Sequence, residues 1–313
     1  MAKKVFYSYN ILFAVYSNYL LSKFKELFDE DTLKGLENPP PISIRVNTIR
    51  IGEKALIERL AKKGVRLRKI PWVKYGYYVD SSPFSMGATT EYLMGYYFLQ
   101  DPASMYCCEV LEPVKGDVVL DMAAAPGGKT TYLAQLMENR GTIISIELNR
   151  ERMRSLRSNI TRMGVENVIA VRMNALESKE LGIEFDKVLL DAPCTGTGTI
   201  FKNPDAGNKD AGDVERCTSL QRELVDVAYD VLKKRGILVY STCSILPEED
   251  EFIVRYAVEK GFKLLPVAEG TPAFTEAYGV RLGGKMRFAK RFYPHLHGSQ
   301  GFFIAKLQKK PQR

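Results

Sequence analysis

The chain has 313 residues, of which 45% are hydrophobic and 26% charged, the composition of a folded globular protein with one large domain, or one large and one small. Its net charge of +8 favours a polyanionic partner, because lysine and arginine gain affinity by releasing counterions from phosphates. No apolar run is long enough to cross a bilayer. The five cysteines (Cys107, Cys108, Cys194, Cys217 and Cys243) form no CxxC pair, and there are two histidines, so no zinc site is expected and the compartment is a reducing, cytosolic one.

The opening "MAKKVFYSYNILFAVYSNYLLSKFKELF" has basic and apolar residues, as a signal peptide does. Its polar interruptions and the lack of a cleavage site favour an N-terminal helix of the mature fold. After the proline punctuation of "ENPPPISIRVN", the alternation of Ile42, Ile44 and Val46 reads as a strand with one buried face. "GEKALIERLAKKG" has helical spacing, with Leu56, Ile57, Leu60 and Ala61 on one face, and "VRLRKIPW" and "YGYYVD" read as short strands. This makes residues 1–95 a helical and α+β module, with residues 96–313 as the main domain. In the module, Arg66, Arg68 and Lys69 stand close to Trp72, Tyr75, Tyr77 and Tyr78, and "GGKMRFAKRFYPHLHG" repeats the mixture near the end. Cations that follow a phosphate backbone beside aromatics that stack on bases suggest RNA or single-stranded nucleic acid.

From "YFLQDPASMYCCEVLEP" onward strands and helices alternate. "DVVLDM", "GTIISIEL", "NVIAVRMN", "FDKVLLDAP" and "ILVYSTCS" are strands, separated by the helices "GGKTTYLAQLME", "NRERMRSLRSNITRMG" and "TSLQRELVDVAYDVLKKRG". "PEEDEFIVRYAVEKG" is a further helix, and "FKLLPV" and "GFFIAKL" close the chain as strands. Near-continuous apolar strands between amphipathic helices predict an α/β fold with a mostly parallel sheet covered on both faces. Ligands of such sheets bind beyond the carboxyl ends of the strands, where Asp121, Glu147, Asn174, Asp191 and Cys243 fall.

"VVLDMAAAPGGKTTYLA" joins the first of these strands to its helix through a Gly-rich turn. It is neither the GxxxxGK[ST] phosphate loop nor the GxGxxG dinucleotide turn. Glycines admit a ligand to the backbone, and free N–H groups at the helix start suit a carboxylate, which favours S-adenosylmethionine over a dinucleotide. Glu147 is then a partner for ribose hydroxyls, or else a solvated strand-end acid.

At "DMAAAPGGKT", "DAPCTGTG", "YSTCS" and "QGFFIAKL", with "YFLQDPASM" upstream, the sequence resembles the Nop/Sun family of RNA cytosine-5 methyltransferases, from about Pro41 to the end and with the motifs in family order. The resemblance implies a class I methyltransferase: a Rossmann-like, seven-stranded, mostly parallel sheet with an N-terminal module that helps bind RNA. It implies S-adenosylmethionine as methyl donor and a cytosine in RNA as substrate. Ala123, Ala124, Ala125, Pro126, Gly127, Gly128 and Lys129 would form the cofactor loop, Glu147 would hold the ribose, and Arg152 would stand near the cofactor. Asn174 occupies a position where many members have Asp near the adenine, and an amide can also hydrogen-bond that ring. Asp191 would hold the cytosine. Cys243, of the "TC" motif, would be the nucleophile and Cys194, of the "PC" motif, would assist release.

The chemistry explains why two cysteines and an acid are needed. A thiolate adding to carbon 6 makes carbon 5 of cytosine nucleophilic, and a protonated Asp191 could meet the charge that develops at N3. The carbon 5 proton must then leave before Cys243 is eliminated, and Lys129 could stabilise the thiolate or orient Asp191. The target base must be unstacked to enter. Two rivals remain. An amino-group methyltransferase would carry Asn/Asp-Pro-Pro-Tyr where this chain has "DAPC", and an idle RNA-binding factor would not need the site intact. With no further recognition domain evident, the expected substrate is a transfer RNA rather than ribosomal RNA, acted on by a monomer. Cys107, Cys108 and Cys217 are read as packing residues.

Overall fold

Residues 16–311 are described by a computed structural model. Most of the expected N-terminal helix falls on residues 1–15, outside the described residues. Helix α1 (Asn18–Leu27) begins at Ser17, whose Oγ accepts from the Leu20 N–H at 3.2 Å, and buries Leu20, Leu21 and Phe24. Helix α2 (Glu30–Glu37) follows, with Asp29 as its cap.

The module is a four-stranded antiparallel sheet with strand order β2–β3–β1–β4, formed by β1 (Ser43–Val46), β2 (Arg66–Lys69), β3 (Gly76–Ser81) and β4 (Tyr97–Leu99). Helix α3 (Glu53–Ala61) covers it with Leu56 and Leu60; Ile57 is half-buried and Ala61 is exposed, so the buried stripe is narrower than its spacing suggested. Strand β4 pairs with β1 through Ile44–Leu99 and Val46–Tyr97, which carries this sheet past the 95/96 boundary read from the sequence.

The alternation expected in β1 is not what the structure shows. Ile42 is exposed, and all four residues of the strand are buried, Arg45 included. Arg45 donates to the Gln100 amide oxygen (2.7 Å), the Gly128 carbonyl (2.6 Å) and Thr131 Oγ1 (2.8 Å), and its guanidinium lies 4.7 Å from the centre of the Tyr132 ring. A buried charge is tolerated because it is hydrogen-bonded. The polar face of the strand is thus the joint between the module and the helix that follows the Gly-rich turn.

The second sheet has nine strands. Strands β5 (Val118–Asp121), β6 (Thr142–Ile146), β7 (Val168–Val171), β8 (Phe185–Asp191) and β9 (Leu232–Thr242) run parallel in the order β7–β6–β5–β8–β9. Between them lie helices α4 (Pro102–Leu111, ahead of β5), α5 (Gly128–Leu136), α6 (Arg150–Met163) and α7 (Ala211–Val231). After α8 (Glu251–Lys260) come β10 (Phe262–Leu265), β11 (Lys290–Phe292) and β12 (Phe302–Lys309), the last antiparallel to β9. Strand β10 pairs with Lys306–Lys309 and β11 with Phe302–Ile304, so two short strands share one edge of β12. The sheet therefore has the seven strand positions expected, plus a two-residue strand, Thr271–Pro272, outside β11. Helix α7 starts earlier than the sequence suggested because Asp210 and Asp213 form a capping box, and it ends at Val231, so "LKKRG" enters β9 instead.

The chain leaves β5 toward β6 and β7 and returns to β8 on the other side of β5. That reversal opens a crevice at the carboxyl ends, between Asp121 and Asp191.

Candidate active site

The Gly-rich turn after β5 and the start of α5 line a cleft of about 240 Å³. Ala123, Ala124, Ala125, Pro126, Gly128, Lys129 and Asp191 face it, joined by Phe98, Gln100 and Asp101 at the end of the module and by Lys202 and Gln300. Gly127 adopts the left-handed region at φ +104° and faces the other way, toward Leu156 of α6. No side chain caps the start of α5, so its first N–H groups are open to an anion.

Glu147, Arg152 and Asn174 are not among the residues lining that cleft; Glu147 and Asn174 follow the ends of β6 and β7, and Arg152 lies in the first turn of α6. Glu147 is buried, with one oxygen accepting from the Asn149 N–H at 2.7 Å and the other 3.6 Å from Arg152 Nε. Arg152 also donates to the Ala125 carbonyl at 2.8 Å, tying the turn to this carboxylate. The Asn174 amide oxygen accepts from Leu176 N–H at 3.1 Å, and its amide nitrogen has no partner among the described residues. A buried acid beside an arginine, uncapped N–H groups and a free amide fit a nucleoside carrying a carboxylate.

On the other side of the reversal, Lys129 Nζ donates to Asp191 Oδ2 at 2.7 Å and Ser241 Oγ to Asp191 Oδ1 at 2.8 Å. Burial disfavours the Lys129 ammonium, but the Asp191 carboxylate and nearby thiols outweigh it and raise its pKa. The two cysteines that end strands in the sequence meet here, with Sγ atoms 3.4 Å apart. The hydrogen bond from Cys194 favours a thiolate at Cys243 and lowers its pKa, aided by Lys129 and Lys202 and opposed by burial and Asp191. The same hydrogen bond, with burial, pushes the Cys194 thiol well above the usual range. The pair therefore favours the thiolate on Cys243 and the thiol on Cys194.

Several residues of this site escaped the sequence reading. Glu249, Asp250 and Glu251, the acidic run at the start of α8, are fully buried. Glu249 accepts from the Thr195 N–H at 2.8 Å and from its hydroxyl, and Asp250 accepts from Thr242 Oγ1 at 2.6 Å. One acid therefore holds the loop of Cys194 and the next holds the strand end before Cys243. Lys202, which donates to the Gln300 amide oxygen at 2.6 Å, was also missed. The only available signal was that a proline precedes four consecutive acids, Glu248 to Glu251.

Asp121, buried at the end of β5, accepts from Thr130 at 2.6 Å while its other oxygen has no side-chain hydrogen-bond partner among the described residues. Burial pushes its pKa up to about 6. Between pH 4 and 6 the folded protein keeps a proton that the unfolded chain has released, so stability falls as pH rises, by about 3 kcal/mol in all. Asp121→Asn lacks this loss. In urea unfolding the stability of the variant relative to wild type is expected to be about 3 kcal/mol greater at pH 7 than at pH 4; a difference independent of pH would show that the carboxyl ionises without cost.

A reversal crevice with a Gly-rich turn after its first strand, an acid after the second and an antiparallel last strand beside β9 is the architecture of the class I methyltransferase fold. The pattern of the 16S rRNA methyltransferase RsmB/F family matches residues 108–308, and that of the N-terminal domain of the 16S rRNA methyltransferase RsmF matches residues 16–102. The chain belongs to this family, the Nop/Sun RNA cytosine-5 methyltransferases. It is 42% identical to the mouse 28S rRNA (cytosine-C(5))-methyltransferase over 94% of this chain and 39% of that protein. It is 45% identical to the tRNA (cytosine(72)-C(5))-methyltransferase of Pyrococcus horikoshii over 69% of this chain and 53% of that one. The chain spans roughly half the length of the curated relatives it matches. Among solved structures, a methyltransferase homolog protein from Pyrococcus horikoshii superposes with a TM-score of 0.88 at 43% identity, covering 94% of this chain and 95% of that one. NSun6 from Pyrococcus horikoshii, solved with SFG, does so with a TM-score of 0.85 at 30% identity, covering 95% and 99%. Among the described residues no helix is long and apolar enough to cross a membrane, and no group of three or more potential ligands is placed to hold a metal.

Proposed function

We propose that the protein is an S-adenosylmethionine-dependent methyltransferase that forms 5-methylcytosine in RNA, with transfer RNA as its substrate. The observation that carries the reading is the Cys194–Cys243 contact of 3.4 Å beside the Lys129–Asp191 pair. The cofactor, when bound, supplies an electrophilic methyl group. The residues that would hold it are the Ala123–Lys129 turn at its carboxylate, Glu147 and Arg152 at its ribose, and Asn174 at its adenine.

The protein's own groups do the rest. The Cys243 thiolate adds to carbon 6 of an unstacked cytosine, and the electron pair moves through the ring toward N3. Asp191 is the partner of a cationic lysine, so the Lys129–Asp191 pair, and not an isolated carboxylic acid, holds the proton that meets N3. Once carbon 5 is methylated, its proton must be removed as the carbon 6–sulfur bond breaks. Cys194, beside that bond, takes this proton as a thiolate, its own proton having passed to solvent once Cys243 is held as a thioether. A site complete in all these groups favours an enzyme over an idle RNA-binding factor.

A ribosomal RNA substrate is the second reading, favoured by 42% identity to a 28S rRNA enzyme over nearly the whole chain. Bulk tRNA and rRNA, each incubated with the protein and S-adenosylmethionine and then bisulfite-sequenced, separate the two. Protected cytosines are expected in tRNA. Protection only in rRNA would favour the second reading, and protection in neither would overturn the proposed activity.

A further inference from the structure

The basic residues singled out in the N-terminal module are largely partnered. Arg68 pairs with Asp80 at 3.1 Å and Lys69 with Glu53 at 3.2 Å, and both lie over tyrosine rings. Charges already neutralised have few counterions to release. Helix α6 differs. Arg150, Arg154 and Arg157 recur at helical spacing along one side of it, and Arg172 follows the end of β7. Together with Met153 these four line a groove of about 460 Å³ that no acidic residue among the described residues lines. All four are exposed, and none forms a hydrogen bond or ion pair with a side chain or carbonyl among the described residues.

This arrangement is costly in the protein alone. Four guanidiniums repel one another, and cations near the start of a helix oppose its dipole. An anion in the groove would reverse both effects. We propose that Arg150, Arg154, Arg157 and Arg172 form a second RNA-binding site, which holds phosphates of the substrate backbone away from the target cytosine. The proposal rests on RNA being the substrate. A guanidinium offers phosphate two parallel donors, which a lysine cannot, and all four basic residues here are arginine. The position also suits this role. Arg150 follows the carboxyl end of β6 and Arg172 that of β7, on the edge of the sheet where Cys243 follows β9. Strand β7 lies four positions from β9, about 19 Å at the usual strand spacing. An RNA strand with its base at Cys243 would reach the groove several nucleotides away.

The test is the quadruple variant Arg150→Gln, Arg154→Gln, Arg157→Gln and Arg172→Gln in the full chain. The probes are fluorescently labelled bulk tRNA and, in parallel, fragmented rRNA, read by anisotropy across a KCl series. Affinity is expected to fall about tenfold or more, and the slope of log affinity against log salt to flatten by about 2–4 as these phosphate contacts are lost. Cofactor affinity by calorimetry and kcat at saturating RNA should hold. Unchanged affinity and slope would overturn the proposal and leave the arginines as guards of the exposed edge strand β7. An equal loss of cofactor affinity would overturn it too, by assigning them to the neighbouring cofactor site. Because the readout is binding, it stands even if neither RNA is methylated.

Discussion

Cys243→Ala is expected to abolish methylation and leave no covalent RNA adduct, whereas Cys194→Ala is expected to trap one. The two sulfurs are 3.4 Å apart, so position alone does not separate them. Their protonation does. The Cys243 thiol is lowered by the hydrogen bond from Cys194 and by two lysines, while Cys194 is raised well above the ordinary thiol value. The thiolate is the nucleophile in such a pair. Removing it should cost about four orders of magnitude or more in turnover, as the loss of a nucleophile does elsewhere. Cys194→Ala leaves the attack and the methyl transfer possible but removes the group beside the bond that must break. A protein–RNA complex resistant to denaturation should then accumulate with labelled RNA and S-adenosylmethionine, and the double variant should lose it. An adduct that persists in Cys243→Ala and disappears in Cys194→Ala would reverse the roles. Rapid turnover by both single variants would exclude covalent catalysis by either cysteine.

The parts of this arrangement that could be read from sequence are those tied to a local period or a short motif. Strands such as "VLLD" announce themselves as apolar runs, and their last residues, Asp191 among them, fall on the carboxyl edge by the topology of any parallel sheet. Lys129, Asp191 and both cysteines belong to motifs. The groups that hold them in place carry no such mark. Arg45 sits in a strand whose alternation suggested one wet face, and only the docking of helix α5 buries it. An acidic run is normally a solvated helix start, yet Glu249, Asp250 and Glu251 are buried against partners outside the helix: Thr195 and Arg291 from distant segments and Thr242 from the end of β9. Strand β11 spans three residues, too few to show a period, and shares an edge of β12 with β10. Local propensity contains no information about such pairings.

Arg291→Met is expected to destabilise the protein more than any substitution on its surface. Arg291, on β11, is the hub of a fully buried cluster. Its Nε donates to Glu251 Oε1 at 2.6 Å, its Nη1 to the Ile245 carbonyl at 3.0 Å, and its Nη2 lies 3.3 Å from Asp250 Oδ2. The Phe274 ring centre is 4.3 Å from the guanidinium. Methionine fills similar space but leaves two buried carboxylates without a cation. Breaking a buried ion pair from one side costs about 3–5 kcal/mol, which for a chain of this size lowers Tm on the order of 10 °C. The sign of the pH dependence follows from the same residues. Burial already pushes the Asp250 carboxyl well above its ordinary value, with Arg291 opposing that shift. Without the arginine, folding must protonate the carboxyls, and stability that depends on a bound proton is lost as pH rises. The deficit of the variant should therefore be greater at pH 8 than at pH 5. Adding Glu251→Gln removes one of the stranded charges and should recover part of the loss, an outcome expected only if charge, not packing, is responsible. Urea unfolding of the single and double variants at the two pH values provides the measurement. A single variant as stable as wild type at pH 8, or a double variant weaker than the single, would show that this cluster does not hold the loops around the two cysteines.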